Sequence, residues 1–231
     1  MKIKKAMVLA AGFGSRLKPI TSKIPKPLIE IGKKNLLERC LDLLINYGVK
    51  DVAINLHYKG DKIRKFLKKK KYKIKINFFE EKKQPLGTGG GVFNATINFD
   101  DKPFFVINPD TIWTNKNLID LRKLEKKYFK DKKTCLLLVD KKLSFDKSFK
   151  GDFSINKNSN LFRKNNNNYI YTGVQVINRN VFRYVDSKIF SMNSIWDRLI
   201  PSKNISGVIS KNKFFHLNTK KVYDKIRNIK F

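Results

Sequence analysis

The chain has 231 residues, 41% of them hydrophobic, which is enough for one large α/β domain with a sizeable core. Its 51 Lys and Arg outnumber its 19 Asp and Glu and give a formal charge of +32. Most of this excess is lysine spread along the whole chain, so it favours a solvated basic surface that attracts anionic substrates over a nucleic-acid-binding protein.

The two cysteines and the apolar runs exclude several other classes. Cys40 and Cys135 lie in apolar stretches without CxxC or Cys/His spacing, which argues against a disulfide framework or a zinc site. The first apolar run is very short and is broken by Gly12 and Gly14, so it predicts a strand rather than a signal peptide. No apolar run approaches the ~20 residues of a membrane span. We therefore expect a cytoplasmic protein with neither a membrane nor a nucleic acid as partner, as a monomer or a homodimer.

Strand and helix patterns alternate along the chain, which predicts an α/β fold with a mainly parallel sheet and helices on both faces. The expected strands are 6–11, 49–56, 73–80, 103–108, 134–140 and 170–178. The expected helices are 36–47 with Gly48 as its C-cap, 61–71, 88–95, 118–129, one or two within 179–200, and a terminal one near 222–229. Residues 143–171 are polar and Asn-rich, which is typical of loops, and 214–218 leads from a last strand into the terminal helix. Because no linker divides the chain, we expect a single domain spanning residues 1–231.

A glycine loop follows the first predicted strand. Gly12 and Gly14 allow positive φ and a close approach of backbone N–H groups to a ligand. Arg16 and Lys26 add a guanidinium fork and a point charge. This combination suits a nucleoside triphosphate.

Two common glycine motifs do not fit this loop. The dinucleotide fingerprint requires a third glycine where Leu17 stands, and the P-loop requires a Gly-Lys-Ser/Thr sequence that is absent. Instead, Gly12-x-Gly14-x-Arg16-Leu17-x-Pro19-x-Thr21, followed by Pro25-Lys26-Pro27, resembles the signature of the sugar-1-phosphate nucleotidyltransferases.

Three later motifs extend this resemblance over nearly the whole chain. They are Pro85-Leu86-Gly87-Thr88, Asn108-Pro109-Asp110 and Phe190-Ser191-Met192-Asn193-Ser194-Ile195-Trp196-Asp197. The chain looks most like the short bacterial enzymes that activate N-acetylmuramate-1-phosphate with UTP, and like relatives described as mannose-1-phosphate guanylyltransferase-like. The resemblance implies a Rossmann-like nucleotide-diphospho-sugar transferase fold.

The resemblance also implies roles for individual residues. Catalysis would rest on Arg16, Lys26 and Asp110. The nucleotide would contact Ala10, Ala11, Gly12, Gly14, Ser15, Arg16, Gln84, Gly87 and Thr88. By analogy, the acceptor sugar would contact Gly90, Asp152, Asn193 and Asp197.

The expected metal site departs from the family pattern. Asp110 follows a central predicted strand and suits Mg²⁺, which prefers one or two carboxylates together with substrate phosphates. The family usually supplies a second carboxylate from a W-x-D-V-G-T segment, but here His216 takes the Asp position and Asn218 the Gly position. His216 could bind a softer ion such as Mn²⁺, contact a phosphate, or hold the shape of the site.

The expected reaction is attack of a sugar-1-phosphate oxygen on the α-phosphorus of a nucleoside triphosphate, with release of pyrophosphate. UTP and N-acetylmuramate-1-phosphate are the favoured substrates. The alternatives are a mannose-1-phosphate guanylyltransferase, a cytidylyltransferase for phosphocholine-like acceptors, a nucleic-acid-binding protein and a ligand sensor without activity.

Overall fold

The computed structural model describes residues 2–231. The strands are β1 Lys5–Leu9, β2 Glu30–Ile31, β3 Lys34–Asn35, β4 Asp51–Leu56, β5 Lys75–Glu80, β6 Phe104–Ile107, β7 Thr134–Asp140, β8 Ser154–Ile155, β9 Leu161–Phe162, β10 Tyr169–Ile177 and β11 Ile205–Ser210. The α-helices are α1 Ile20–Lys23, α2 Leu36–Tyr47, α3 Gly60–Lys70, α4 Gly87–Ala95, α5 Leu118–Asp131, α6 Met192–Leu199 and α7 Lys220–Ile226.

Seven strands form the central sheet in the order β11-β7-β10-β6-β1-β4-β5. The pairs β1/β4, β1/β6, β4/β5 and β7/β11 are parallel. Strand β10 runs antiparallel to both of its neighbours, β6 and β7. The carboxyl ends of β6, β1 and β4 therefore meet at one edge of the sheet, where open α/β sheets bind their ligands.

Both faces of the sheet are covered, because its strands are apolar on both sides. Ala6 and Val8 of β1 belong to a core cluster that includes residues of α2, α3 and α5. Met7 belongs to a second cluster with residues of α4 and α6. The predicted α/β fold, with a mainly parallel sheet and helices on both faces, is confirmed.

Helix α2 has the bounds predicted from the sequence because its signals are local. At its start, the Asn35 side chain accepts from the Glu38 backbone N–H while the Glu38 carboxylate accepts from the Asn35 N–H, at 2.9 Å each. At its end, Gly48 takes the left-handed conformation with φ 102°.

The region after β7 differs from the sequence expectation. Residues 143–171, predicted as loop, contain the small β8/β9 hairpin and the start of β10. The last strand of the sheet is β11, whose bounds the sequence did not define. The following segment forms isolated bridges from Phe214 to Ser144 and from His216 to Thr111. It thus crosses the sheet edge where the candidate site lies.

Cys40 and Cys135 are free and fully buried, as expected of plain core residues. Among the helices of residues 2–231, none combines the length and apolarity that a membrane crossing requires.

Candidate active site

A cleft of about 320 Å³ opens at the carboxyl ends of β1, β4 and β6. It brings together most residues predicted for the nucleotide and for catalysis: Ala10, Ala11, Gly12, Gly14, Ser15, Arg16, Lys26, Gly87, Thr88 and Asp110. Arg16 is exposed at this cleft, and its guanidinium carries a fixed charge next to the loop N–H groups. The arrangement fits a polyanionic ligand.

The two loop glycines serve different purposes. Gly14 has φ +63°, and a Cβ there would lie 2.9 Å from Thr21 Cγ2 and 3.1 Å from Lys26 Cβ. At Gly12, a Cβ would meet nothing within 4 Å, and its φ is not positive. Positive φ, which glycine allows at both positions, is thus adopted at Gly14 and not at Gly12. Its missing side chain leaves space at the cleft.

Asp110 and Lys26 form an ion pair inside the cleft. The Lys26 Nζ lies 2.6 Å from Asp110 Oδ2, and both side chains are mostly buried. Burial of Asp110 opposes its ionisation, but the positive charges of His216 and Lys26 outweigh this and lower the pKa of Asp110 to about 2. The carboxylate is therefore ionised throughout the physiological pH range.

His216, which takes the position of the family's second carboxylate in the resemblance, lies beside Asp110. Its Nδ1 is 3.6 Å from Asp110 Oδ1, and its ring stacks on Phe214 at 5.9 Å between centroids. Burial lowers the pKa of His216, against the raising effect of the Asp110 carboxylate. His216 is therefore mostly neutral at pH 7 and becomes a cation only at lower pH, so Lys26 is the cation beside Asp110 at pH 7.

Two oxygens in the site lack a hydrogen-bond donor. Asp110 Oδ1 and Asn218 Oδ1 are both buried without a partner, and both residues line the cleft. Asn218 Nδ2 donates to Asp146 Oδ2 at 2.7 Å, which fixes the orientation of the amide because a carboxylate only accepts. Within residues 2–231, no group of three His, Cys, Asp or Glu side chains could hold a metal. A metal here would need ligands from the substrate as well.

A buried polar pair that the sequence did not reveal fixes two walls of the cleft. Asn55 Oδ1 accepts from the Ala10 N–H at 2.8 Å, and Asn55 Nδ2 donates to Glu81 Oε1 at 2.6 Å. Glu81 Oε2 in turn accepts from the Leu86 N–H at 2.8 Å. The available signal was Asn55, a polar residue inside the apolar pattern of β4. The pair ties the glycine loop to the segment that begins α4.

A family model, described as nucleotidyl transferase, matches residues 5–144, which is more than half of the chain. The chain belongs to the nucleotidyl transferase family. The predicted resemblance to sugar-1-phosphate nucleotidyltransferases is thereby confirmed, and with it the expectation of an enzyme.

Individual relatives of this nucleotidyl transferase include an N-acetylmuramate alpha-1-phosphate uridylyltransferase from Caulobacter vibrioides. It is 28% identical over 221 residues, which cover 93% of this chain and 91% of the relative. A mannose-1-phosphate guanyltransferase from Aspergillus oryzae is 40% identical over 112 residues, but these cover 47% of this chain and 30% of the relative. Among solved structures, HddC from Yersinia pseudotuberculosis has a TM-score of 0.79 and 25% identity, with 97% of this chain and 98% of that chain covered.

Five predicted contacts of this nucleotidyl transferase lie outside the cleft, among them Gln84 and Gly90. Gln84 is exposed and does not line it. Gly90 is buried, and a Cβ there would lie 2.2 Å from the Lys188 carbonyl oxygen. The neighbouring Gly89 packs against the Phe190 ring, and Gly91 against Asn55 and Glu81. Gly90 was expected to contact the sugar, but all three glycines let α4 pack closely against protein.

The other three predicted sugar contacts lie around one arginine that the sequence did not single out. Arg163 Nη2 donates to Asn193 Oδ1 at 2.7 Å, and Arg163 Nη1 lies 3.3 Å from Asp197 Oδ1. Asp152 Oδ2 accepts from the Tyr171 N–H at 2.8 Å. None of them lines the cleft described above. They form a polar cluster of their own at the β8/β9 hairpin and the start of α6.

Proposed function

We propose that this enzyme transfers UMP from UTP to N-acetylmuramate-1-phosphate, giving the UDP-sugar and pyrophosphate. The observation that carries the proposal is the extent of the match to the Caulobacter uridylyltransferase, which covers 93% of this chain and 91% of that enzyme. The match therefore includes the chain beyond residue 144, where the acceptor contacts are expected. The match to the Aspergillus guanyltransferase covers only 30% of that enzyme.

The cleft residues support this reaction without a general base. A sugar-1-phosphate is already anionic at neutral pH, so the enzyme must position two anions and stabilise the developing charge. In this proposal, Arg16 stabilises the β- and γ-phosphates and the departing pyrophosphate. Lys26 holds the α-phosphate next to the incoming phosphate. The N–H groups near Gly12 and Gly14 complete the cradle for the triphosphate.

The donor set fits Mg²⁺. Asp110 Oδ1 and Asn218 Oδ1 are hard oxygens without a protein donor, and oxygen ligands suit Mg²⁺ better than the neutral imidazole of His216 does. In this proposal, Asp110 is the anionic ligand, Asn218 supplies the oxygen that the family's second carboxylate usually gives, and His216 supports them. A bound Mg²⁺ would neutralise the charge of the substrate phosphates.

Guanylyl transfer to mannose-1-phosphate is the second candidate. The observation that favours it is the higher identity, 40% over 112 residues, to the Aspergillus guanyltransferase.

An assay of pyrophosphate release distinguishes the two candidate reactions. UTP, GTP, CTP and dTTP are each paired with N-acetylmuramate-1-phosphate, N-acetylglucosamine-1-phosphate and mannose-1-phosphate. We expect kcat/KM to be at least about tenfold higher for UTP with N-acetylmuramate-1-phosphate than for any other pair. A preference for GTP with mannose-1-phosphate would select the second candidate. No release from any pair at saturating concentrations, with Asp110→Ala as the blank, would reject nucleotidyl transfer.

A further inference from the structure

A second cleft, of about 760 Å³, lies between the start of α2 and the residues after α7. Residues that line it include Lys33, Lys34, Arg39, Trp113, Arg227 and Lys230. Its size is within the range of sites that hold small molecules. It shares no lining residue with the nucleotide cleft.

The side chains around this second cleft are strongly cationic. Five Lys and Arg side chains line it, against one acidic side chain, that of Asp42. That carboxylate is paired with Lys34, whose Nζ lies 2.6 Å from Asp42 Oδ2. No second Asp or Glu side chain lines the cleft. A concave surface of this kind concentrates anions.

Arg39 gives the second cleft a fixed donor. Its Nη2 donates to the Ile31 carbonyl oxygen at 2.7 Å, which anchors the guanidinium. The ring of Phe231 covers it at 5.4 Å, and Arg39 Nε is buried without an acceptor. The Nε itself is covered by protein, but Arg39 as a whole is only partly buried and lines the cleft. Its guanidinium can therefore face a phosphate oxygen, which accepts well from it.

Neighbouring residues of one short segment line the two clefts. Asn108, Pro109 and Asp110 line the nucleotide cleft, whereas Trp113, Thr114 and Asn115 line the second cleft. The indole Nε1 of Trp113 donates to the Asn108 carbonyl oxygen at 2.8 Å. A ligand that moves Trp113 therefore also acts on the backbone that positions Asp110.

We propose that the second cleft binds a phosphorylated small molecule and that its occupancy changes nucleotide affinity at the first cleft. The site is independent of which nucleotide and sugar the enzyme uses. Its recognition elements are the Arg39 guanidinium and the lysines at positions 33 and 230.

Binding is tested by calorimetric titration of the full chain with inorganic phosphate, glucose 6-phosphate and 3-phosphoglycerate, with glucose as the unphosphorylated control. The second-cleft variant is K33Q/K230Q, since both lysines are exposed and the fold should tolerate their loss. The matched control is K157Q/K211Q, which removes two exposed lysines outside both clefts. The R16A variant shows whether a probe binds in the nucleotide cleft instead, because its affinity would then fall in R16A.

We expect at least one phosphorylated probe to bind the wild type with a Kd below about 1 mM, and about tenfold more weakly in K33Q/K230Q. The control pair and R16A should bind it as the wild type does. No probe with a Kd below about 1 mM, or undiminished affinity in K33Q/K230Q, overturns the site.

The link between the clefts is tested with the nucleoside triphosphate that the wild type binds most tightly. Its affinity should differ by about twofold or more with and without the saturating probe, and the probe's affinity should change by the same factor because coupling is reciprocal. This difference should disappear in K33Q/K230Q. An unchanged nucleotide affinity in the wild type overturns the link and leaves the proposed reaction untouched.

Discussion

Lys26 Nζ lies 2.6 Å from Asp110 Oδ2 and thereby joins the loop after β1 to the carboxyl end of β6. The ammonium uses one carboxylate oxygen, while Oδ1 stays without a donor. The pair holds the anion-binding cation and the acidic group of the site next to each other. Removal of either side chain therefore leaves the opposite charge without its partner in the cleft.

Replacement of Lys26 should impair turnover more than folding. We expect Lys26→Gln to lower kcat by about 10²-fold, because a charge that stabilises the transition state is lost. The variant should also raise the pKa of Asp110 toward its ordinary value, since both the charge and the hydrogen bond of Lys26 lower it. Pyrophosphate release and NMR titration of the Asp110 carboxyl check these effects. A variant that keeps wild-type kcat would contradict the assigned role.

The two loop glycines form a matched pair of tests. Gly14→Ala should destabilise the fold by about 1–2 kcal/mol, because position 14 is left-handed and its Cβ would press on Thr21. Gly12→Ala should leave the free energy of unfolding within about 0.5 kcal/mol, since the new methyl group meets no protein atom. It should instead raise the KM for the nucleotide. Urea denaturation and steady-state kinetics measure both, and equal stability losses would refute the distinction.

The buried pair of Asn55 and Glu81 should be essential to the shape of the cleft. Asn55→Ala leaves the Ala10 N–H and one Glu81 oxygen without partners, so we expect a loss of about 2–3 kcal/mol of stability. Asn77→Ala is the control, because Asn77 pairs with Asp51 on a less buried strand. Chemical denaturation compares the two. A loss no larger in Asn55→Ala than in the control would contradict the account.

Stability should fall on acidification because of His216. Burial lowers its pKa in the fold below the ordinary 6.5, so the unfolded chain binds more protons at acidic pH. The contribution of neutral His216 to the free energy of unfolding is fully present above pH 6.5, and it is lost as the pH falls through the folded-state pKa. A further loss should follow between pH 3.8 and about 2, where Asp110 takes up its proton. In His216→Asn the first decline should be absent. The free energy of unfolding is measured by denaturation at several pH values from 7.5 to 5. An equal dependence of this free energy on pH in both proteins would disprove the role of His216.

The sequence predicted elements whose signals lie within a few residues. Helix α2 has its predicted bounds because Asn35 and Gly48 cap it locally. Strand β7 likewise matches at 134–140 because it is a continuous apolar run that is buried on both faces. Strand β11 was not delimited, since its pattern in Ile205–Ser210 is short and interrupted by Gly207.

Contacts between segments that are distant in sequence limited how much of the site could be predicted. The pairing of Asp110 with Lys26 joins residues 84 positions apart, and only the family motif brought them together in advance. The role of Asn55 depends on Glu81 and on the Ala10 N–H, which sequence spacing does not reveal. Gly90 was assigned to the sugar by analogy, since the sequence does not show that the Lys188 carbonyl, almost 100 residues away, packs against it.

We predict that the nucleotide binds in the cleft between the glycine loop and Asp110. A crystal structure of the enzyme with UTP and Mg²⁺ tests it most directly. We predict that the triphosphate lies against the N–H groups near Gly12 and Gly14, with Arg16 on its phosphates and the metal on Asp110 Oδ1. A nucleotide bound elsewhere, or no nucleotide density at saturating UTP and GTP, would contradict the account.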